Sequence, residues 1–472
     1  MKTPVTNAPH QQLAREFLDL WLKQARETLQ DTSLFTHGLE IMSGFADSPP
    51  PPYGQMHGAQ GFALPPHLMP LHMGLQGIYW QNILSALAAG SAAQPGKDGR
   101  FGEEDSTTLF ALMRRMAEDP EFAAQVRAEI QHRLHFQMQS MQAYYHARFE
   151  RQLEDPECVW RQGNCRLLHY PASSPAKTKK KPPALLLVPS LINRYYILDL
   201  TEATSFARYL SGKGFSVFLV DWGVPGEEEK HFDSEDYVTR YLCAMGEFLR
   251  AEGYARILAG GHCMGGMLTL ALAAIRPDLV DGLALFATPW DFSADPLHPT
   301  LHNESGVALL ERYIESFDMF PGEHILSMFY LRDPWLFQEK LEHFHELTPG
   351  TEAHERFLAI EHWVNGCVPL PKGVARDGFL RWGAHNEPYR GKWRVGGRLI
   401  NPAEITQPAF VVTPRKDRIV PYASALPLAR ALKGAVHLEP DTGHVGMIVG
   451  SHARAEVWEP FVAWAKNPLR NA

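Results

Sequence analysis

Ile257-Leu258-Ala259-Gly260-Gly261-His262-Cys263-Met264-Gly265-Gly266 is the stretch that decides the fold. An apolar run leads in. Met267-Leu268-Thr269-Leu270-Ala271-Leu272-Ala273-Ala274 leads out with a small-residue helical pattern. Strand, sharp turn and helix form the context of a G-x-nucleophile-x-G elbow, here with cysteine where serine usually stands. The glycines permit the turn and the close approach of neighbouring backbone. The turn presents the Cys263 sulfur at a helix N-terminus, where partial positive charge favours the reactive thiolate. The competing reading is a glycine turn around a buried structural cysteine, and the downstream sequence weighs against it.

Ala409-Phe410-Val411-Val412 reads as a short buried strand, and it runs into Thr413-Pro414-Arg415-Lys416-Asp417-Arg418-Ile419-Val420-Pro421. An acid just past a strand end, followed by apolar residues and a proline, suits the orienting member of a triad. His444 follows in a glycine-flanked loop, Gly443-His444-Val445-Gly446, ahead of the last helical pattern. Nucleophile, acid, histidine is the chain order of α/β-hydrolases. The long interval from Cys263 to Asp417 leaves room for an inserted cap. The short one from Asp417 to His444 fits one helix and one strand. Asp441 remains an alternative orienter, and His437, which alternates as a strand residue, an alternative base.

Three further apolar runs, Ala184–Ser190, Phe215–Trp222 and Leu283–Pro289, read as central parallel strands. Helical patterns at 204–210 and 237–252 alternate with them. The expected fold is α/β: an α/β-hydrolase with a mostly parallel sheet, helices on both faces, a helical cap insertion and a helical N-terminal extension. The expected divisions are 1–172 for the extension with a proline-rich linker, 184–289 for the first part of the core, 290–402 for the cap and 403–472 for the rest of the core. The loop after the first of these strands, around Ser190 and Leu191, is expected to supply one oxyanion N–H and Met264 the other.

The extension carries a helical stripe over Leu13–Gln30, a polyproline break at Pro49–Pro52 and a second break at 93–100. A long helix is expected from Asp119-Pro120 to about Gln152, with proline in its first turn. The lysines of 177–181 read as a solvated loop, with contact to a granule or anionic surface as the functional alternative. In the cap stretch the α/β alternation breaks down and aromatics crowd, among them Phe317, Phe320, Phe329, Trp363, Trp382 and Trp393. A cap there is expected to close over Cys263, with most of these rings forming its own core.

Net charge is −8, and the pI of about 6.3 carries no nucleic-acid footprint. No apolar run reaches the length of a membrane span, and the first residues lack a signal core. Five cysteines without a framework suggest a reducing cytoplasm. Cys158 and Cys165 lack a second ligand pair, so no metal site is expected.

Val188-Pro189-Ser190-Leu191-Ile192-Asn193-Arg194-Tyr195-Tyr196-Ile197-Leu198-Asp199-Leu200 resembles the PP-x-INKYYILDL signature of polyhydroxyalkanoate synthases. Val217–Trp222 is similar to that family's strand and D-W turn, Gly261–Gly266 to its lipase-like box, Asp417–Tyr422 to its D-H-I-V-P-W and Gly443–Gly446 to its G-H-I-x-G. The resemblance covers roughly residues 184–465. It implies transfer of 3-hydroxyacyl groups from CoA thioesters onto a growing polyester through Cys263, His444 and Asp417, with no cofactor beyond the thioester substrate. It also brings a polyester granule surface and a homodimer into the expected partners. The sequence departs from the family pattern at Arg418, Tyr422 and His262. A cysteine hydrolase of polyester, thioester or ester is the alternative activity, and a non-enzymatic granule protein on a retired hydrolase fold is a third reading, opposed by the intact triad.

Overall fold

The computed structural model describes residues 115, 118–173, 181–295, 303–332 and 336–467. The stripe at Leu13–Gln30, both early breaks and Lys177–Lys180 lie outside them. The chain forms two units, and each is described by itself.

The larger unit is built on an eight-stranded sheet. Its strands are β1 (Glu157–Gln162), β2 (Cys165–Tyr170), β3 (Ala184–Val188), β4 (Ser216–Asp221), β5 (Ile257–His262), β6 (Gly282–Phe286), β7 (Ala409–Val412) and β8 (Val436–Leu438). Their order is β1-β2-β4-β3-β5-β6-β7-β8. From β4 to β8 every pairing is parallel, while β1 and β2 join antiparallel. The parallel strands β3 to β7 are buried along their whole length, which is why they read as unbroken apolar runs. Phe286, Phe410, Phe461 and Trp464 pack edge-on and tilted at 5.4–6.4 Å on one face. Each such fully buried ring contributes about 1.5–3 kcal/mol relative to exposure. The chain passes from β4 to the far side of β3 to form β5. The strand order therefore reverses at β3 and β5, and ligands bind open α/β sheets at the carboxyl ends of such a pair.

The extension expected to run to 172 is not helical throughout. Residues 157–170 form the β1–β2 hairpin and belong to the sheet. Gly163, at φ 55°, makes its turn, and a Cβ there would strike the Glu229 carboxylate. The long helix spans Pro120–His146, capped by Asp119, and stops short of Gln152. No glycine or proline marks that end. Arg151 is drawn instead into tertiary bonds, donating to the buried Asp199 carboxylate at 2.7 Å and to its carbonyl at 3.1 and 3.2 Å. Asp199 also accepts from Arg208 at 2.8 Å and Tyr170 at 2.9 Å, so the -YYILDL- acid ties the segment before β1 to the core.

The smaller unit pairs that Pro120–His146 helix with Leu336–Glu346. Phe136 meets His345 at 4.3 Å and Tyr144 meets Phe344 edge-on at 5.9 Å. Residues 330–354 thus fall with the N-terminal helix although the sequence reading placed them in the cap. The apolar stripe of Phe122, Val126, Ile130 and Tyr144 needs a partner face, and Leu341 and Phe344 are buried in the same unit.

Candidate active site

Cys263 follows the last residue of β5 and precedes the Met264–Ile275 helix, at φ 57° and ψ −126°. A non-glycine residue held there stores about 1–3 kcal/mol of strain, which surrounding structure must enforce. Its N–H donates to Phe286 at 2.8 Å, and its carbonyl accepts the Gly266 N–H at 2.9 Å. The flanking glycines are obligatory. A Cβ at Gly261 would strike the Gly265 carbonyl and Gly266, and one at Gly265 would strike the Val188 and Pro189 carbonyls.

Asp417 lies past the end of β7. One carboxylate oxygen, Oδ1, accepts the N–H groups of Ile419 and Val420, both at 2.8 Å. The other, Oδ2, accepts from His444 Nδ1 at 2.7 Å, with both side chains buried. Cys263 lies near enough to His444 that its charge helps to hold the proton on the imidazole. The fold thus brings Cys263, His444 and Asp417 together at the carboxyl ends of β5 and β7. It does not bring the alternatives in. Asp441 pairs with Lys416 at 2.6 Å, both about two-thirds exposed. His437 Nε2 bonds the Thr413 hydroxyl at 2.5 Å.

The loop after β3 is fixed at three points. Trp222, of the D-W turn, donates its indole N–H to the Pro189 carbonyl at 3.0 Å. Ser190 Oγ accepts the Ile192 N–H at 3.2 Å. Asn193 donates to Trp363 and Val364 carbonyls at 3.2 Å. Ser190 is half-buried, Leu191 and Met264 are buried, and Met264 opens the elbow helix.

The cap residues of this unit gather their own aromatic core. Tyr313, Phe317 and Phe320 pack edge-on, Phe379 joins Phe320 at 5.4 Å, and Trp393 touches both Trp382 and Trp290. The π-helical turn Arg376–Ala384 reaches the elbow, where a Cβ at Gly378 would sit 3.6 Å from Met264 Cε and meet nothing else. Both ends of the cap are clamped by Asn386, in the left-handed region at φ 51°. Its side chain accepts the Phe292 N–H at 3.0 Å and donates to Asp291 at 2.8 Å.

Sequence reasoning passed over His262 as a family departure. It is 3% exposed, and its ring lies 4.9 Å from that of His444. The two imidazoles are driven apart electrically. Burial, and then the charge of His444, pull His262 down to about 3. Burial also pulls His444 down, but the charges of Asp417 and Cys263 and the bond to Asp417 overcome it and push it up to about 10. The signs of the two contributions to stability differ. His444 gains affinity for its proton on folding, so its contribution is full below an unfolded value of about 6.5 and is lost as pH rises toward 10. His262 loses affinity, so its contribution is full above about 6.5 and is lost as pH falls toward 3. Urea denaturation across this range is expected to show stability declining on both sides of near-neutral pH. His262→Phe should flatten the acid limb alone, and an unchanged acid limb in that variant would refute the assignment.

Among the described residues no group of three or more His, Cys, Asp or Glu side chains is placed to hold a metal ion. No helix among them is long and apolar enough to cross a membrane. All five cysteines are free thiols; burial drives Cys165 well above the usual thiol range and Cys367 up to about 12.

Comparison with known proteins agrees with this fold. The alpha/beta hydrolase fold family model matches residues 183–451, and that of the poly-beta-hydroxybutyrate polymerase (PhaC) N-terminus matches residues 127–210. The poly(3-hydroxyalkanoate) polymerase subunit PhaC of Haloferax mediterranei is 27% identical over 323 residues, covering 65% of this chain and 63% of that protein. Its counterpart in Haloarcula marismortui is 27% identical over 318 residues, covering 65% and 66%. That of Allochromatium vinosum is 27% identical over 294 residues, covering 60% and 81%. The chain therefore spans a little under two thirds of the length of the first two relatives. With the hydrolase model covering more than half of it, the chain belongs to the α/β-hydrolase fold family, and the segment leading into its core is similar to the N-terminus of the poly-beta-hydroxybutyrate polymerases.

Proposed function

We propose that the chain is a polyhydroxyalkanoate synthase-like acyltransferase that passes 3-hydroxyacyl groups from CoA thioesters to a hydroxyl acceptor through an acyl-cysteine. The observation that carries the reading is the buried Asp417–His444 pair set against Cys263 in a strained elbow. His444, held with its proton by Asp417, leaves Cys263 as the nucleophile. Cys263 Sγ forms a bond to the thioester carbonyl carbon. The C–S bond to CoA breaks, and the leaving thiolate takes the proton from His444. In the second half the acceptor hydroxyl gives its proton to His444 as its oxygen attacks the acyl-cysteine. The bond to Cys263 then breaks and the pair is restored. The N–H of Met264, with one from Ser190 or Leu191, would hold the carbonyl oxygen as it gains charge.

The thioester is the activated donor, and the chemistry needs no further cofactor. A reducing cytoplasm keeps Cys263 as a thiol, and the growing polyester is the second substrate. Acyl transfer outruns hydrolysis only where water is kept from the acyl-cysteine. The Arg376–Ala384 turn over Met264 supplies that cover in this reading.

The test is to incubate the purified protein with 3-hydroxybutyryl-CoA and separate released CoA, polymer and free acid. The expected products are CoA and ester-linked oligomer. Free 3-hydroxy acid alone would replace this reading with the cysteine hydrolase.

A further inference from the structure

Beyond the Arg376–Ala384 turn the chain reads Tyr389-Arg390-Gly391-Lys392-Trp393-Arg394-Val395-Gly396-Gly397-Arg398. Arg394–Val395 and Arg398–Leu399 pair antiparallel across Gly396 and Gly397. Both glycines have positive φ, 57° and 75°, as the favoured two-residue hairpin turn requires. The buried Trp393, Val395 and Ile400 seat the hairpin on the fold. Arg390, Lys392, Arg394 and Arg398 are all exposed. Among the described residues none of the four pairs with a carboxylate, and Arg394 donates instead to the Gly397 carbonyl at 2.8 Å. No acid lies in the sequence between Glu387 and Glu404, and Glu387 is taken by Arg381 at 3.1 Å.

The hairpin tip lies away from the candidate active site. A Cβ at Gly396 would touch Ile275 Cδ1 and Thr239 Cγ2, each at 3.9 Å. Ile275 ends the elbow helix that Cys263 begins, and its 12 residues span about 18 Å. The four cations are therefore not set against the reacting atoms. Acids on the elements beside the tip have arginines of their own, Asp236 with Arg240, and Glu247 and Asp278 with Arg276. Tyr389, at the base of the hairpin, is 52% exposed, and only Met138 joins it as an exposed large apolar side chain among the described residues. An exposed ring beside unpaired cations suits a membrane–water interface, where the ring settles at headgroup level and the cations meet anionic lipid. It suits nucleic acid less. The hairpin carries no Asn, Gln, Ser or Thr to read base edges, and the net charge of −8 opposes a long polyanion lying along the chain.

We propose that the hairpin of residues 389–398 docks the protein on an anionic lipid surface, with Tyr389 in the headgroup layer and Arg390, Lys392, Arg394 and Arg398 against lipid phosphates. The proposal does not rest on the acyl-transfer reading. It concerns the opposite end of the elbow helix and holds for a synthase or a hydrolase alike.

The probe is co-sedimentation of the full chain with vesicles of equal parts phosphatidylcholine and phosphatidylglycerol, with pure phosphatidylcholine vesicles as the control. The wild type is expected to bind the mixed vesicles, to leave them as salt is raised, and not to bind the control. Each Lys or Arg close to an anionic leaflet strengthens binding about fivefold, so the triple variant Arg390→Gln, Lys392→Gln, Arg398→Gln is expected to bind at least about thirtyfold more weakly. Arg390→Lys with Arg398→Lys keeps the charge and should bind as the wild type does. Tyr389→Ser should weaken binding at unchanged charge. The replaced side chains are exposed, so the variants should fold, which circular dichroism checks; if the triple variant does not, Lys392→Gln with Arg398→Gln takes its place, with an expected loss of at least about tenfold. A wild type that stays in solution with the mixed vesicles overturns the proposal. So does a folded charge-depleted variant that binds them as tightly, or a charge-keeping variant that does not bind. Tighter binding of the hairpin to duplex DNA than to the mixed vesicles, lost in the same triple variant, would make the surface a nucleic-acid one and also overturn it. Failure of the wild type to form polymer while the vesicle results hold removes the acyl-transfer reading alone.

Discussion

Cys263→Ala is expected to leave no acyl-enzyme and to lower CoA release from 3-hydroxybutyryl-CoA by at least about 10⁴-fold, the scale seen when a nucleophile acting as one unit with its base is removed. The substitution keeps a Cβ at the same backbone angles, so the strain at φ 57° is unchanged and the fold should survive. The sulfur is what disappears. The elbow helix, the Phe286 carbonyl that holds the Cys263 N–H, and the His444–Asp417 bond all remain, so residual activity reports substrate binding alone. Intact-mass analysis after exposure to the acyl-CoA reads the result directly. An alanine variant that still carries an acyl group and still turns over would place the nucleophile elsewhere, and none of the other four cysteines forms part of the Asp417–His444 site.

Asp417→Asn is expected to cost about 10⁴-fold in turnover with the fold intact, comparable to what a triad loses when its acid becomes an amide. The reason lies in the division of labour between the two oxygens. Oδ1 accepts two backbone N–H groups, from Ile419 and Val420. In the amide the oxygen must stay on those donors, which turns the NH₂ toward His444. His444 then has to offer a bare Nδ1 and carry its proton on Nε2, the nitrogen left for Cys263. The imidazole can no longer take a proton there. Asp441→Asn should change turnover by less than about twofold, because a pair as exposed as Lys416–Asp441 contributes little. Steady-state kinetics on both variants decides the matter, and reversed effects would make Asp441 the orienting acid.

The central sheet was legible because its strands are buried on both faces and appear as unbroken apolar runs. The elbow was legible because only glycine fits at 261 and 265. The β1–β2 hairpin was not, since β1 is half-exposed and its Cys158-Val159-Trp160-Arg161 run carries no clean alternation. The Gly163-Asn164 pair was the one available turn signal. The end of the long helix was illegible for another reason: it is set by Arg151 reaching Asp199, which lies 48 residues away in sequence. At the site, Cys263, Asp417 and His444 follow from chain order. His262 does not, because its significance depends on a loop nearly two hundred positions downstream.

The Asn386 clamp bears on how such a chain diversifies. It pins together residues 95 positions apart, and further bonds tie the segment between them to the core, from Asn193 to Trp363 and Val364 and from Ser234 to Asp377. The entropy of closing a loop grows only with the logarithm of its length, and a doubling adds about 0.6 kcal/mol. Changes of length between these anchors therefore weigh little on the stability of the sheet beneath. The site residues sit outside that segment, at 262–264, 417 and 444. Selection can rewrite what enters the site while the chemistry below is inherited unchanged.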